Sequence, residues 1–373
     1  MEIPLARPDL TEADIQAVVE VLRTPQLSLG PRVEEFERRF TDLCATRHAV
    51  AVSSGTSALH LCVRALGIGP GDEVVTTPFS FVASSNCILF EGGTPVFADI
   101  DPETWNIDPA KVEAAITPRT KALLPVDVFG QVADMDALLS IARKHGLRVI
   151  EDSCEALGAT FGGKPAGSFG DAGVFGFYPN KQITTGEGGM IVTDDERIAA
   201  LCRSMRNQGR DPDAGWLAHA RLGYNFRLAD INCALGIAQM RRLGDILAAR
   251  RRVAEWYRQR LGGDGRVRFQ KVHAKAAVSW FVLVVRLADE YTQTDRDAIM
   301  KCLQQRGVAC GNYFSPIHLQ PFYVQRFGYR PGAFPVTEAL SARTIALPFF
   351  ARMSASQVDF VCTQLLNLIE HTR

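Results

Sequence analysis

The stretch Phe175-Gly-Phe-Tyr-Pro-Asn-Lys-Gln-Ile-Thr-Thr-Gly-Glu-Gly-Gly-Met190 sets one lysine, Lys181, in a polar, glycine-rich loop between two apolar runs. Those runs, near 172–178 and 190–193, predict strands on either side of the loop. The glycine-rich tail lets the backbone approach a bound group closely. A loop lysine is ordinarily solvated, but in surroundings that favour its neutral amine it can condense with an aldehyde. The loop alone does not choose between these readings, so the argument turns on what precedes it.

Upstream, short apolar runs alternate with helical patterns. The spacing predicts strands at 48–53, 73–76, 95–99, 122–126 and 148–152, and helices at 57–66, 83–91, 109–116 and 135–145. Such alternation builds an α/β fold with a largely parallel sheet covered on both faces. Before it, Thr11-Glu-Ala-Asp14 reads as a capping box with Asp14 in place of the usual Glu, opening a helix to Leu22, and a second helix is expected over 33–44. After about Asp230 the texture changes. One long helical pattern runs from Ile231 to Leu261, interrupted by Gly236 and Gly244. It is followed by a turn-rich break at Gly262–Arg266, a strand at 279–285 and helices at 296–306 and 355–370. We expect a large domain over 1–240 and a smaller C-terminal α/β domain over 241–373, hinged on the long helix, which suits a chain of 373 residues.

Composition excludes several classes. Lysine plus arginine balance aspartate plus glutamate at 41 each, so no global field draws the chain to nucleic acid or an acidic membrane. Arg250, Arg251, Arg252, Arg258 and Arg260 cluster with Trp256 and Tyr257, but with no DNA-binding motif the cluster reads as a solvated helix face. No apolar run approaches the ~18 residues of a membrane span, and the start, MEIPLARPDL, lacks the regions of a signal peptide. Nine cysteines scattered singly, without a C-x-x-C pair, read as free thiols in a reducing cytoplasm, and no metal site is expected.

Two further constellations stand ahead of the lysine. Ser53-Ser-Gly-Thr-Ser-Ala-Leu-His60 follows a strand and opens a helix, so Gly55 and Thr56 offer N–H groups at a helix N-terminus. That is either a phosphate site or a plain strand–turn–helix with a serine cap. In Val149-Ile-Glu-Asp-Ser-Cys-Glu155, Asp152 ends an apolar strand, at the edge where open α/β sheets bind ligands. An acid there could hold a metal, a ribose hydroxyl or a protonated ring nitrogen, or could cap a helix. Anion turn, strand-end acid and loop lysine together supply what pyridoxal 5'-phosphate (PLP) catalysis requires: a phosphate clamp, a partner for the pyridinium nitrogen and an amine that binds the aldehyde.

At this point the sequence resembles the DegT family of PLP-dependent nucleotide-sugar aminotransferases. The resemblance runs nearly the whole chain, through S-G-T-S-A-L-H, G-P-G-D-E-V, D-I-D-P-E-T, V-D-V-F-G-Q, E-D-S-C-E-A-L-G-A, N-K-Q-I-T-T-G-E-G-G-M and G-Y-N-F-R. The lysine motif is most similar to that of GDP-perosamine synthase-like enzymes. The resemblance implies an aspartate-aminotransferase-like fold (PLP fold type I), amino transfer from L-glutamate to a ketone, C4 in the nearest motif, of a nucleotide-linked keto-deoxy sugar, and a cytoplasmic homodimer with shared active sites. Amination at C3, a keto sugar or cyclitol without a nucleotide, and a non-catalytic regulatory protein that keeps the fold are the alternatives.

Carried over residue by residue, the resemblance makes Lys181 the lysine that carries the cofactor and moves the proton. It makes Asp152 the partner of the pyridine nitrogen, and Gly55 and Thr56 the phosphate turn. Phe81 becomes the aromatic on the cofactor ring, unless it is a core residue. Glu155 falls beside the phenolic oxygen, and Asn225 matches an amide that reaches the phosphate of the other subunit. His318 and Glu187 are carried over to the sugar end, with a structural histidine and a loop anchor as their plainer readings. Three departures stand out. Gly176 replaces a usual serine, Pro179 replaces a small residue, and Gly311-Asn312 occupies a stretch where relatives often carry arginine.

Overall fold

The computed structural model describes residues 2–211, 215 and 217–372. Its central sheet has seven strands: β1 His48–Val52, β2 Glu73–Thr76, β3 Thr94–Phe97, β4 Thr120–Leu124, β5 Arg148–Asp152, β6 Ala172–Gly176 and β7 Gly189–Thr193. They lie in the order β1-β7-β6-β5-β4-β2-β3. Strands β6, β5, β4, β2 and β3 pair in parallel, and β7 runs antiparallel to both β6 and β1. The expected mostly parallel sheet is thus present, with a single reversed strand among the seven, the one that follows the lysine loop.

Successive residues of a strand face opposite sides. Val74, Leu124 and Ile150 enter one core, and Val75, Leu123 and Val149 enter another. Helices cover both faces: α1 Glu12–Leu22, α2 Pro31–Cys44, α3 Gly55–Ala65, α4 Ala83–Phe90, α5 Pro109–Ala115, α6 Met135–His145 and α7 Glu196–Arg206. The Thr11 capping box forms as read, with Asp14 at the third helical position. Helix α7 had no expectation attached to it.

The long helical pattern resolves into two helices, α8 Asp230–Arg241 and α9 Leu243–Leu261. The break falls at neither of the glycines read as interruptions, but at Arg242, whose side chain leaves the helix line to pair with Asp9 and Asp14. Gly236 continues α8 because α2 packs against it; a Cβ there would fall 2.6 Å from the Phe36 ring. The first turn of α9 (Leu243, Ile246) joins the core of Phe36, Phe40, Phe175 and Phe177, while Val253, Tyr257 and Leu261 enter a separate C-terminal core.

That second core lies on a three-stranded antiparallel sheet, β8 Val267–Phe269, β9 Leu283–Leu287 and β10 Thr344–Leu347. It is covered by α9, α10 Gln293–Gln305 and α13 Ala355–Glu370, with Ile3 from the chain start packed among them. Between α10 and α13 lie two short helices, α11 Pro321–Phe327 and α12 Pro335–Ser341. The strand expected at 279–285 begins later. Ser279 is drawn away to bond the Gly130 carbonyl, and Phe281 lies against the lysine loop instead.

The basic cluster does not form one solvated face. Arg251 and Arg252 are exposed, Arg258 lies over Phe269 and Trp280, Arg260 pairs with Asp359, and Arg250 is buried. Among the described residues no helix is long and apolar enough to cross a membrane.

Candidate active site

The C-terminal ends of β1, β5 and β6 meet at one edge of the central sheet, where the lysine loop returns across them. Between them lies a cavity of about 540 Å³. It brings together Gly55, Thr56, Phe81, Asp152, Glu155, Lys181 and Glu187, which are spread over more than a hundred residues of chain. This is the position that an open α/β sheet reserves for ligands.

At the start of α3 the serine cap forms and leaves two donors free. Ser54 caps the helix by accepting from the Ser57 N–H at 3.0 Å, while among the described residues the Gly55 and Thr56 N–H groups have no protein acceptor. Two free donors at the N-terminus of an 11-residue helix are a donor set that suits an anion. Gly189, in the tail of the lysine motif, touches the same turn; a Cβ there would fall 2.4 Å from the Ser54 carbonyl oxygen. Gly176 leaves room rather than strain, since a Cβ would sit 3.5 Å from Cys154 Sγ in ordinary contact.

Asp152 is 4% exposed. Its Oδ2 accepts from Ser84 Oγ at 2.8 Å and its Oδ1 from the Cys154 N–H at 3.2 Å. No helix follows it, so the helix-cap reading falls away and its carboxylate remains turned to the cavity. Lys181 is no solvated surface lysine: its side chain is 15% exposed and its Nζ lies 3.8 Å from Glu155 Oε1 and 3.9 Å from the centre of the Phe281 ring. Glu155 accepts from the Phe129 N–H through Oε2 at 2.9 Å. Burial pushes the Glu155 carboxyl above the usual range, and the Lys181 charge opposes that shift.

Phe81 is not a core aromatic; it is 62% exposed and borders the cavity. Glu187 lies exposed at the rim, and the loop is anchored there by its carbonyl, which accepts from Thr185 Oγ1 at 2.7 Å, rather than by its carboxylate. The cavity does not include Asn225 or His318. Asn225 is exposed between Tyr224 and Phe226, whose rings stack at 4.7 Å and pack inward. His318, expected at the sugar end, is fully buried instead; Nε2 meets Glu338 Oε1 at 3.0 Å and the ring packs on Phe334. Its Nδ1 is buried without a partner among the described residues, so protonation would strand an N–H, and burial lowers its pKa despite the nearby carboxylate. Ser84, Phe281 and Tyr313 line the cavity without having been singled out. Ser84 lies three residues after Phe81 at the start of α4, but Phe281 and Tyr313 arrive from the far half of the chain with no local signal.

A sequence profile of the DegT/DnrJ/EryC1/StrS aminotransferase family matches residues 8–366. The chain belongs to this family. The DegT-family chain is 42% identical over 367 residues to the GDP-perosamine synthase of Caulobacter vibrioides, covering 97% of each protein. It is 38% identical to the spore coat polysaccharide biosynthesis protein SpsC of Bacillus subtilis, over 99% of this chain and 97% of that one. The PLP form of a putative sugar aminotransferase from Streptococcus pneumoniae matches its fold with a TM-score of 0.96 at 29% identity, both chains being covered in full. The protein is accordingly a PLP-dependent DegT-family sugar aminotransferase with the aspartate-aminotransferase-like fold.

The donor set of the cavity fits PLP. Free N–H groups suit the phosphate, a buried carboxylate suits a protonated ring nitrogen, an enclosed amine suits the aldehyde, and the exposed Phe81 offers an aromatic surface.

Proposed function

We propose that this aminotransferase moves an amino group from L-glutamate to the C4 ketone of a nucleotide-linked keto-deoxy sugar in the cytoplasm, as a homodimer with shared sites. The observation that carries the nucleotide linkage is a second cavity of about 870 Å³ that shares Ser80, Phe81, Tyr313 and Phe314 with the first. Its walls add Phe90, Phe322, Asn86, Gln320 and Arg326. Arg326 lies within 5.9 Å of the Phe322 and Phe327 ring centres and has no carboxylate partner among the described residues. A ketone beside Lys181 with an anionic, ring-bearing group beyond Phe81 would fill both spaces. Arg326 would also supply the cation that Gly311-Asn312 lacks; Asn312 borders the same cavity. The C4 position rests on the lysine motif.

In this reading Lys181 Nζ would hold the cofactor and, once released, would carry the proton at the substrate carbon. PLP supplies the electron sink. Asp152, fixed by Ser84 and the Cys154 amide, would keep the ring nitrogen protonated. Gly55 and Thr56 N–H groups would hold the phosphate, Phe81 would cover the ring, and Glu155 would stand by the phenolic oxygen. Asn225, exposed and outside its own cavity, would reach the phosphate of a second copy. Glu187 at the rim would meet the sugar.

The test is to load the protein with the amine form of the cofactor and offer a panel of nucleotide-linked 3-keto and 4-keto sugars and free keto sugars, identifying products by mass spectrometry and NMR. Amination at C4 of nucleotide-linked ketones is expected. Equal turnover of free sugars, or amine at C3, overturns the respective part of the reading.

A further inference from the structure

Arg250 is 3% exposed on α9 and pairs with no carboxylate among the described residues. A buried guanidinium ordinarily needs a counter-charge or several acceptors. Its acceptors here are backbone carbonyls: Nη2 donates to the Lys181 oxygen at 2.9 Å and, at the longer distance of 3.4 Å, to the Asn180 oxygen, while Nη1 donates to the Phe281 oxygen at 3.2 Å. These two residues meet through their side chains, since Lys181 Nζ lies 3.9 Å over the Phe281 ring. The neighbouring Gln182 makes a parallel tie, its Nε2 donating to the Glu155 oxygen at 2.6 Å and the Ser279 oxygen at 3.0 Å. The lysine loop and the segment 279–281 are therefore cross-linked by two buried side chains. Burial brings the Arg250 pKa down to about 10, which leaves it charged near neutrality.

We infer that Arg250 is a positioning residue for the reaction: its planar fork holds the carbonyls of Lys181 and Phe281 together and so fixes where the Lys181 amine stands over the Phe281 ring. A fork that spans two acceptors is a property of arginine that lysine does not reproduce. Packing of the guanidinium on Phe349, 5.5 Å from the ring centre, is the merely structural role against which this must be tested. The inference rests on the assignment of Lys181 as the cofactor lysine.

The test uses PLP-free protein to which PLP is added, with borohydride fixation of the cofactor on lysine, peptide mapping and visible circular dichroism of the bound cofactor. In wild type, fixation maps to Lys181. Arg250→Met should slow fixation at Lys181 about tenfold and weaken the visible dichroism per bound cofactor, and Arg250→Lys should slow it about threefold. The exposed Lys144 and the far-UV spectrum serve as controls and should not change. Wild-type fixation rate and dichroism in folded Arg250→Met overturn the proposal. If that variant does not fold, the same two readings in Arg250→Lys decide it. Fixation absent from Lys181 in the wild type would instead sink the lysine assignment, and this inference with it.

Discussion

Ser84 Oγ donates to Asp152 Oδ2 at 2.8 Å, so a serine on α4 fixes the carboxylate at the end of β5. The contact joins the segment carrying Phe81 to the acid proposed to serve the ring nitrogen. A hydrogen bond to a charged group contributes about 1.5–3 kcal/mol. Ser84→Ala keeps the charge and should lower kcat roughly tenfold. Asp152→Asn cannot hold the proton by charge and should lose at least about a hundredfold while still binding PLP. Steady-state kinetics and the cofactor absorbance check both. Turnover of Asp152→Asn within about tenfold of wild type, under ~1.4 kcal/mol of barrier, would remove Asp152 from this role.

Lys181→Ala should abolish turnover and leave the fold intact. The side chain lines the cavity rather than a core, so the thermal midpoint should move by no more than about 3 °C. Calorimetry and a glutamate half-reaction followed by absorbance give the two readings, and normal transamination by the variant is the outcome that excludes Lys181.

Asn225 offers a test of shared sites. A two-fold interface makes each contact reciprocal, so a dimer of one Lys181→Ala and one Asn225→Ala protomer holds one doubly impaired site and one intact site. Provided Asn225→Ala alone is severely impaired, subunit exchange should restore activity to the mixture. No recovery despite demonstrated exchange, or full activity in a sedimenting monomer, excludes the shared site.

His318 predicts an acid weakness unrelated to catalysis. Burial lowers its folded pKa below the ordinary 6.5, outweighing Glu338. The unfolded chain therefore takes up a proton first as pH falls through 6.5, and its contribution to stability is lost from there down to the lowered folded pKa. Thermal midpoints measured between pH 8 and 5 should fall more steeply in wild type than in His318→Gln. With His318 outside both cavities, the variant should keep its KM for the sugar within about twofold at pH 8. A larger rise in KM would return His318 to the substrate site.

What the sequence determined by itself was local. The Thr11 box, the limits of β2, β5 and α6, and the alternation that implies a parallel sheet follow from capping, period and turn chemistry within a few residues. The motif order carried the anion turn, Asp152 and Lys181 because the ligand edge of such a sheet lies at strand ends, and strand ends are legible in sequence. Tertiary structure decided everything that depends on distant segments meeting. Arg242 ended a helix because two aspartates near the N-terminus lay opposite it. Gly236 stayed helical because α2 needed its missing side chain. Phe81 turned outward and His318 inward, the reverse of what an apolar ring and an imidazole imply on their own. Arg250 left a basic run to hold the carbonyls of residues 69 and 31 positions away. Charge and hydrophobicity along the chain do not encode such partners; burial and hydrogen-bond satisfaction in the folded state select them.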